Sequence, residues 1–128
     1  MKFSPGRLFD PKSFPSGGAG LAGTVTDYLR FAEAMRTHRI LKPETHRALV
    51  SDQVPDKEVD AGMKFGLGVG IIVNPVAAKS SRSNGAYGWA GIYGTEFWID
   101  PEAKLSVVVL TNVVGQQLHQ QIEKAIYD

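Results

Sequence analysis

Residues 88–112, GWAGIYGTEFWIDPEAKLSVVVLTN, carry the clearest structural signal in this chain. Glycines recur at its start, and two runs rich in aromatic and β-branched residues follow, at 95–100 and 105–111. Residues of these types favour strands, and the Asp-Pro-Glu-Ala-Lys segment between the two runs is rich in turn-forming residues. The stretch therefore predicts a strand near 86–90, a glycine-rich turn and a hairpin of two further strands.

Two features of the strand pattern carry more specific predictions. The run at 105–111 is apolar on both faces apart from Ser106, which predicts a central strand covered on both sides. Residues 64–73 alternate glycine with bulky apolar side chains. This period of two predicts one strand with a packed face and a bare face, and the bare face would let another backbone or a helix come close.

Three segments have helical features. Thr24 is a favourable N-cap with an acidic residue three positions later, and residues 24–39 place apolar side chains at helical spacing. Pro43 suits the first position of a second, shorter helix, and residues 115–127 predict a closing helix with a narrow apolar stripe. The order is helix, helix, four strands, helix, with short connections. It predicts an α+β fold, an antiparallel sheet of about four strands flanked by helices.

Composition and charge exclude several classes of function. The 128 residues carry 14 Lys and Arg against 13 Asp and Glu, so the formal net charge of +1 gives no reason to expect binding to nucleic acid or to an anionic membrane surface. The absence of cysteine excludes disulfides and thiolate chemistry. No apolar run approaches the length of a membrane span, and the N-terminal residues lack the apolar core of a signal peptide.

Cofactor and metal sites are not predicted. Residues 18–23, Gly-Ala-Gly-Leu-Ala-Gly, match the G-x-G-x-x-G pattern of dinucleotide sites. The strand before it and the parallel strand-helix-strand unit after it are missing, so a glycine-rich turn against protein is favoured. The three histidines lack the spacing of metal ligands. Asp100 and Glu102 flank a predicted turn, where solvated acids are usual. They are therefore not predicted to be a catalytic pair for acid–base chemistry.

Two blocks together resemble the C-terminal part of the serine β-lactamase-like hydrolases, which include class C β-lactamases, DD-peptidases and family VIII carboxylesterases. The blocks are residues 17–31, GGAGLAGTVTDYLRF, and the stretch 88–112. The family uses a Ser-x-x-Lys motif, a second motif centred on Tyr or Ser, and a third motif, Lys-Thr-Gly or a variant, on a strand. Trp89-Ala90-Gly91 resembles the third motif of esterase-like members. The resemblance implies that residues 24–128 are the C-terminal portion of a β-lactamase/transpeptidase-like fold and that residues 1–23 are a Pro/Gly-rich connection.

The same resemblance implies roles for four residues. In the family the third-motif strand borders the active-site cleft, so Trp89, Ala90 and Gly91 are expected to bind substrate. The N–H of Ile92, after the glycine, would be one donor of the oxyanion hole, and Gly91 would let the backbone approach an acyl group closely. Trp89 stands where a cationic side chain could bind a substrate carboxylate. This favours neutral small-molecule esters or amides as substrates.

The nucleophile of the family is missing from this sequence. No serine is followed three positions later by lysine, and no tyrosine is followed two positions later by Asn or Ser. A serine without its base is a weak nucleophile. We therefore expect a segment of a longer reading frame that is inactive alone and that associates with itself or with a complementary N-terminal segment. The parent would be cytoplasmic or periplasmic. The competing hypothesis is a non-catalytic binding or interaction module derived from this half-fold.

Overall fold

The computed structural model describes residues 5–18, 20–113 and 115–128. After a 3-10 helix at Pro5–Phe9, the elements in chain order are α1 (Val25–Arg36), α2 (Pro43–Leu49), β1 (Met63–Phe65), β2 (Gly70–Ile72), α3 (Pro75–Ala78), β3 (Tyr87–Ala90), β4 (Glu96–Asp100), β5 (Leu105–Val109) and α4 (Gln116–Tyr127). Within these ranges, no helix combines the length and the apolar character needed to cross a membrane. Residues 1–4 of the predicted connection and Ala19 of the glycine-rich motif lie outside the described residues.

The strands in the described part of the chain form one antiparallel sheet in the order β1-β2-β3-β4-β5, so each strand pairs with its neighbours in sequence. Between β3 and β4, Gly88 lies opposite Trp98 and Trp89 opposite Phe97. Between β4 and β5, Phe97 lies opposite Val108. The predicted α+β class and antiparallel sheet are confirmed, with five described strands in place of about four.

The additional strand arises because the glycine-alternating segment at 64–73 contains a hairpin, so the prediction of one continuous strand is wrong. Gly68 has a φ of +90°, which side chains other than glycine rarely adopt, and the chain reverses there between β1 and β2. Gly66 donates its N–H to Val69 O at 2.8 Å. A Cβ on Gly66 would clash with Leu49 O, so the end of α2 packs directly against this hairpin. The close backbone approach expected from the glycines does occur, but it lies at the turn of the hairpin, between Gly66 and the end of α2.

The strand β5 lies at one edge of the described sheet, so the prediction of a central strand at 105–111 is wrong. Among the described strands it pairs with β4 alone, and all its residues are partly buried. One face of β5 is covered by α1, which packs on β4 and β5. There Ser106 Oγ donates to the Glu33 carboxylate of α1 at 3.0 Å. The other face of β5 continues the face of β4 that carries α4.

The main core lies between the sheet and the helices α1 and α2. Ala32 and Met35 of α1 pack with Ile71, Tyr87 and Ile99 of three adjacent strands, and none of these five residues is more than 6% exposed. The predicted start of α1 is confirmed, because the capping hydroxyl of the preceding threonine accepts the N–H three residues later at 3.1 Å. The first residue of α1 is thereby the one that the sequence indicates.

The closing helix α4, predicted at 115–127, is confirmed and is attached to alternate residues of β4. His119 Nδ1 lies 2.9 Å from Glu96 Oε2. Trp98 Nε1 donates to Tyr127 OH at 3.2 Å, and Tyr127 OH donates to Asp100 Oδ2 at 2.8 Å. Asp100 is fully buried, so the expectation of a solvated acid at this turn is wrong. The reason is that α4 covers the strand end from which the carboxylate projects.

Candidate functional site

An open cleft of about 900 Å³ lies beside the end of β3, between the sheet and the first turns of α1. The residues predicted to bind substrate, Trp89, Ala90 and Gly91, all line this cleft. Ile92 follows them directly, with a side chain that is 80% exposed and does not line the cleft. The part of the chain singled out by the sequence motif is therefore at a cavity large enough for a small molecule.

Aromatic rings form two sides of the cleft. The Tyr28 ring of α1 has its centroid 5.1 Å from that of Phe97 and 5.6 Å from that of Phe31. Burial raises the pKa of the Tyr28 phenol, so this group is neutral at neutral pH. The Trp89 ring stands edge-on to Phe65, with centroids 5.0 Å apart, and remains 46% exposed. These rings offer apolar contact area to a ligand.

None of the described residues that line the cleft is a cation that could pair with a substrate carboxylate. Of the described lining residues, Glu96 is the one with a charged side chain. Its two carboxylate oxygens lie 2.5 Å from Arg82 Nη2 and 2.9 Å from His119 Nδ1. The Glu96 charge is thus compensated from behind the cleft wall, and the described surface of the cleft is apolar and close to neutral.

A short turn connects β3 to β4 and carries Ile92. Gly91 N–H donates to Thr95 O at 2.7 Å, and Gly94 N–H donates to Gly91 O at 3.0 Å. Gly94 has a φ of +91°, as in the common three-residue hairpin loop that ends on a glycine of positive φ. A Cβ on Gly94 would also clash with Val113 O. Glycine is therefore required at this position for two independent reasons.

The N–H of Ile92 points out of this turn. It belongs to the same peptide group as the Gly91 carbonyl, which points into the turn to accept from Gly94. In a trans peptide the N–H and the C=O point in opposite directions, and the described residues contain no cis peptide. Within the described residues no hydrogen bond uses the Ile92 N–H. It is open to an acceptor, and its role as an oxyanion donor stays a prediction.

Beneath the cleft, a buried histidine and tyrosine form a structural contact. His46 Nε2 lies 3.1 Å from Tyr87 OH, and the His38 ring stands 4.4 Å from the His46 ring. Burial raises the pKa of Tyr87 to about 12. Burial also lowers the pKa of His46, and the neighbouring His38 adds to that effect. Both members of the pair are therefore neutral near pH 7, which suits a packing role under the sheet.

A polar cluster on the α4 side of the sheet was not predicted from the sequence. Arg82 lies between Glu96 and Glu123, with Nε 2.7 Å from Glu123 Oε2, and its guanidinium stands 4.2 Å over the Trp98 ring. The Nε–H is poorly aligned with the carboxylate, so this contact acts as an ion pair. Ser80 Oγ donates to the second oxygen of Glu123 at 2.7 Å. Among the residues that the structure describes, no three His, Asp or Glu side chains are grouped to hold a metal ion.

Comparison with known proteins gives one consistent result. The family model described as Beta-lactamase matches residues 2–127. Esterase EstB from Burkholderia gladioli is 34% identical over 131 residues, which cover 100% of this chain and 33% of EstB. The chain corresponds to the C-terminal part of such relatives and spans about a third of the length of EstB.

Solved structures give the same result for the fold. EstCE1, a hydrolase with promiscuous acyltransferase activity, superimposes with a TM-score of 0.88 and 32% identity over 100% of this chain and 36% of its own. A beta-lactamase from Mycobacterium bovis superimposes with a TM-score of 0.68 and 26% identity over 83% of this chain and 42% of its own. The described elements thus occur together inside larger hydrolases.

Proposed function

This chain belongs to the Beta-lactamase family, and we propose that it is the C-terminal third of an esterase-type serine hydrolase. In this proposal the chain supplies one wall of the active-site cleft and one oxyanion donor. The nucleophilic serine and its lysine base come from another segment. One observation carries the proposal: the end of β3 lines the cleft, and the open N–H of Ile92 follows immediately.

The proposed chemistry is acyl transfer to a serine. The serine attacks the ester carbonyl, and negative charge develops on the carbonyl oxygen in the tetrahedral transition state. The Ile92 N–H would donate to that oxygen, and one such donor contributes roughly 10²- to 10³-fold to the rate constant. Gly91 would let the acyl group approach the strand, because it presents no side chain to the cleft.

The substrate class follows from the lining of the cleft. Its described surface holds no lysine or arginine, and its one carboxylate is compensated by Arg82 and His119. A substrate carboxylate would lose hydration there without gaining an ion pair. Neutral esters or amides with an apolar acyl or alcohol group fit the aromatic sides formed by Tyr28, Phe97 and Trp89.

The proposed partner is a complementary N-terminal segment or, in its absence, a second copy of this chain. The outer edge of β5 has no neighbouring strand among the described residues, and such an edge is a template for pairing. Apolar side chains near the cleft are also exposed, among them Leu21 at 81%, Phe31 at 44% and Leu110 at 47%. A partner that covers this region would bury them.

Two preparations test the proposal. The isolated chain is incubated with a chromogenic acetate ester and with a fluorophosphonate probe, and we expect neither turnover nor labelling. A hybrid in which this chain replaces the aligned C-terminal third of EstB is expected to hydrolyse the ester. Labelling of one serine in the isolated chain, with turnover above a heat-inactivated control, would contradict the assignment of the nucleophile. If the hybrid folds but does not hydrolyse the ester, and the isolated chain binds the ester, the binding-module hypothesis is favoured.

A further inference from the structure

His119 of α4 reaches the turn that carries Ile92. Its Nε2 lies 2.9 Å from Gly94 O, and its Nδ1 lies 2.9 Å from Glu96 Oε2. A carbonyl oxygen and an ionised carboxylate are both acceptors, so both ring nitrogens face acceptors. Because a carbonyl can only accept, His119 is the donor in its contact with Gly94 O. The side chain is 13% exposed, so water has little access to either contact.

The orientation of the imidazole ring is fixed from behind. Glu96 is held by Arg82, which itself lies against Glu123 and the Trp98 ring. Both carboxylates lie against the Arg82 guanidinium, and the His119 ring contacts one of them. His119 is therefore not a surface histidine that happens to be near the turn, because its second nitrogen is anchored in a half-buried ionic cluster.

His119 and Ile92 are linked through the backbone of Gly94. Gly94 accepts from His119 at its carbonyl and donates its N–H to Gly91 O at 3.0 Å. The Gly91 carbonyl and the Ile92 N–H belong to one peptide group. An amide whose carbonyl accepts a hydrogen bond is polarised and becomes a stronger donor through its N–H. His119 bonds the next peptide group, Gly94–Thr95, so it acts on the Ile92 N–H by position: it holds Gly94 where the Gly94 N–H reaches Gly91 O and so fixes the direction of the Ile92 N–H.

We infer that His119 is a positioning residue for the backbone donor at Ile92. The inference rests on the proposed role of that N–H in the oxyanion hole. His119 itself does not line the main cleft; it acts through Gly94 and Gly91. This role requires a side chain on α4 that is long enough to place a hydrogen-bond donor where Nε2 now lies, next to Gly94 O.

Amide exchange in the 128-residue chain tests the structural step without any catalysis. In His119→Leu, which cannot donate, we expect the Gly94 amide to exchange about tenfold faster, the effect of losing roughly one hydrogen bond. His119→Gln keeps a donor of similar reach and should retain protection, whereas His119→Asn is too short and should behave like the leucine variant. Gln121→Leu, an exposed position of the same helix, is the matched control.

Unchanged Gly94 protection in a folded His119→Leu chain would overturn the inference. If the leucine variant loses protection throughout the sheet, the inference is tested by comparing Gly94 protection in His119→Gln and His119→Asn. Equal Gly94 protection in these two variants also overturns the inference. Faster exchange at Gly94 in the asparagine variant, with Ile99 of the core unchanged, supports it.

Kinetics in the EstB hybrid test the functional step. For His119→Leu we expect kcat to fall about tenfold with KM nearly unchanged, because a misplaced oxyanion donor affects the transition state more than substrate binding. His119→Gln should restore most of kcat. A rise in KM at constant kcat would overturn the inference. A hybrid with no turnover even with His119 in place would count against the proposed function, while amide exchange would still decide whether His119 holds the turn.

Discussion

Tyr127 donates its hydroxyl to the buried carboxylate of Asp100, with Tyr127 OH 2.8 Å from Asp100 Oδ2. Burial alone would raise the pKa of Asp100. The N–H groups of Ala103 and Ser83 and the Tyr127 hydroxyl outweigh it, so the pKa of Asp100 lies below its ordinary value of 3.8. Burial, followed by the bond to Asp100, raises the pKa of Tyr127 in turn. The last residues of the chain are thereby attached to the end of β4.

Replacing this tyrosine should destabilise the chain. Tyr127→Phe removes the hydrogen bond to Asp100 and the acceptor of Trp98 Nε1–H. We expect the free energy of unfolding to fall by about 1–2 kcal/mol, because two buried groups lose a partner. Urea unfolding followed by tryptophan fluorescence measures the change. Tyr28→Phe is the control, since no described hydrogen bond uses the Tyr28 hydroxyl, and an equal loss in both variants would contradict the prediction.

The fold should lose stability in acid through Asp100. A carboxylate whose pKa is lower in the folded state stabilises that state above its ordinary pKa of 3.8, and this contribution disappears as the pH falls through the folded value. We expect the free energy of unfolding to decrease steadily below about pH 4. In Asp100→Asn the decrease should be shallower.

Glu33 is the comparison for this acid effect. Its hydrogen bonds to Arg36 outweigh burial, with a further contribution from Ser106, and lower its pKa to about 2. The side chain is 47% exposed, so solvent screens the pair and its contribution to stability is smaller than the shift suggests. Glu33→Gln should therefore change the acid dependence less than Asp100→Asn. Identical acid profiles for wild type and Asp100→Asn would contradict the role given to Asp100.

Gly91→Val in the EstB hybrid should reduce kcat by roughly 10²- to 10³-fold, the effect of losing one oxyanion donor. A Cβ at this position would lie 2.5 Å from Thr95 Oγ1, so the turn must shift and the Ile92 N–H with it. Steady-state kinetics on a short-chain ester measures the effect, and thermal unfolding of the same variant controls for folding. A variant that folds normally and keeps wild-type kcat would show that this strand end is scaffold only.

Trp89→Lys should change substrate preference more than rate. The lysine loses the edge-on contact with Phe65 but introduces a cation into a cleft whose described lining has none. We expect a modest loss with neutral esters and a lower KM for esters that carry a carboxylate. Trp89→Phe is the control for lost ring area. If KM for the acidic ester is equally high in the lysine and phenylalanine variants, Trp89 does not face the substrate.

The isolated chain should self-associate. The edge of β5 and the exposed apolar side chains near the cleft are open to a second copy. Sedimentation velocity is expected to show a dimer or larger species, and Leu110→Lys, at the end of β5, should shift the distribution toward monomer. A monodisperse monomer that binds no hydrophobic dye would contradict this expectation.

The helices and most strands could be predicted from the sequence because their signals are local. The Thr24 cap and Pro43 mark helix starts, and the runs at 95–100 and 105–111 are strands in the structure. The hairpin at Gly68 could not be distinguished from a straight strand, because glycine permits either conformation and the alternation of side chains is the same in both.

The position of β5 shows a different limit. An apolar pattern on both faces reports what lies above and below a strand. It carries no information on how many strands lie beside it, which is a matter of backbone hydrogen bonds and not of side chains. The sequence therefore indicated the face of β5 that α1 covers, but not the place of β5 at the edge.

Within the candidate site, the end of β3 could be predicted because it resembles a known motif. The polar cluster on the α4 side of the sheet could not be predicted from the sequence. The cluster joins three separate segments: Arg82 lies in a loop, Glu96 on β4, and His119 and Glu123 on α4, and no sequence spacing relates these segments. A buried cluster of this kind exists only after the helix has packed on the sheet. His119 looked like an isolated histidine because its partners, Gly94 and Glu96, are more than twenty positions away.

The contacting residues of α4 and β4 are spaced at nearly equal distances along the helix and along the strand. On the helix, His119, Glu123 and Tyr127 are four residues apart, and four helical residues advance about 6 Å. On the strand, Glu96, Trp98 and Asp100 are two residues apart, a step of about 6.7 Å. The two spacings nearly coincide over two steps, so His119 can contact Glu96 while Tyr127 contacts Asp100. A single-residue insertion between His119 and Tyr127 would rotate and shift one of these side chains relative to the strand. The contact of His119 with Gly94 and that of Tyr127 with Asp100 could then not both form.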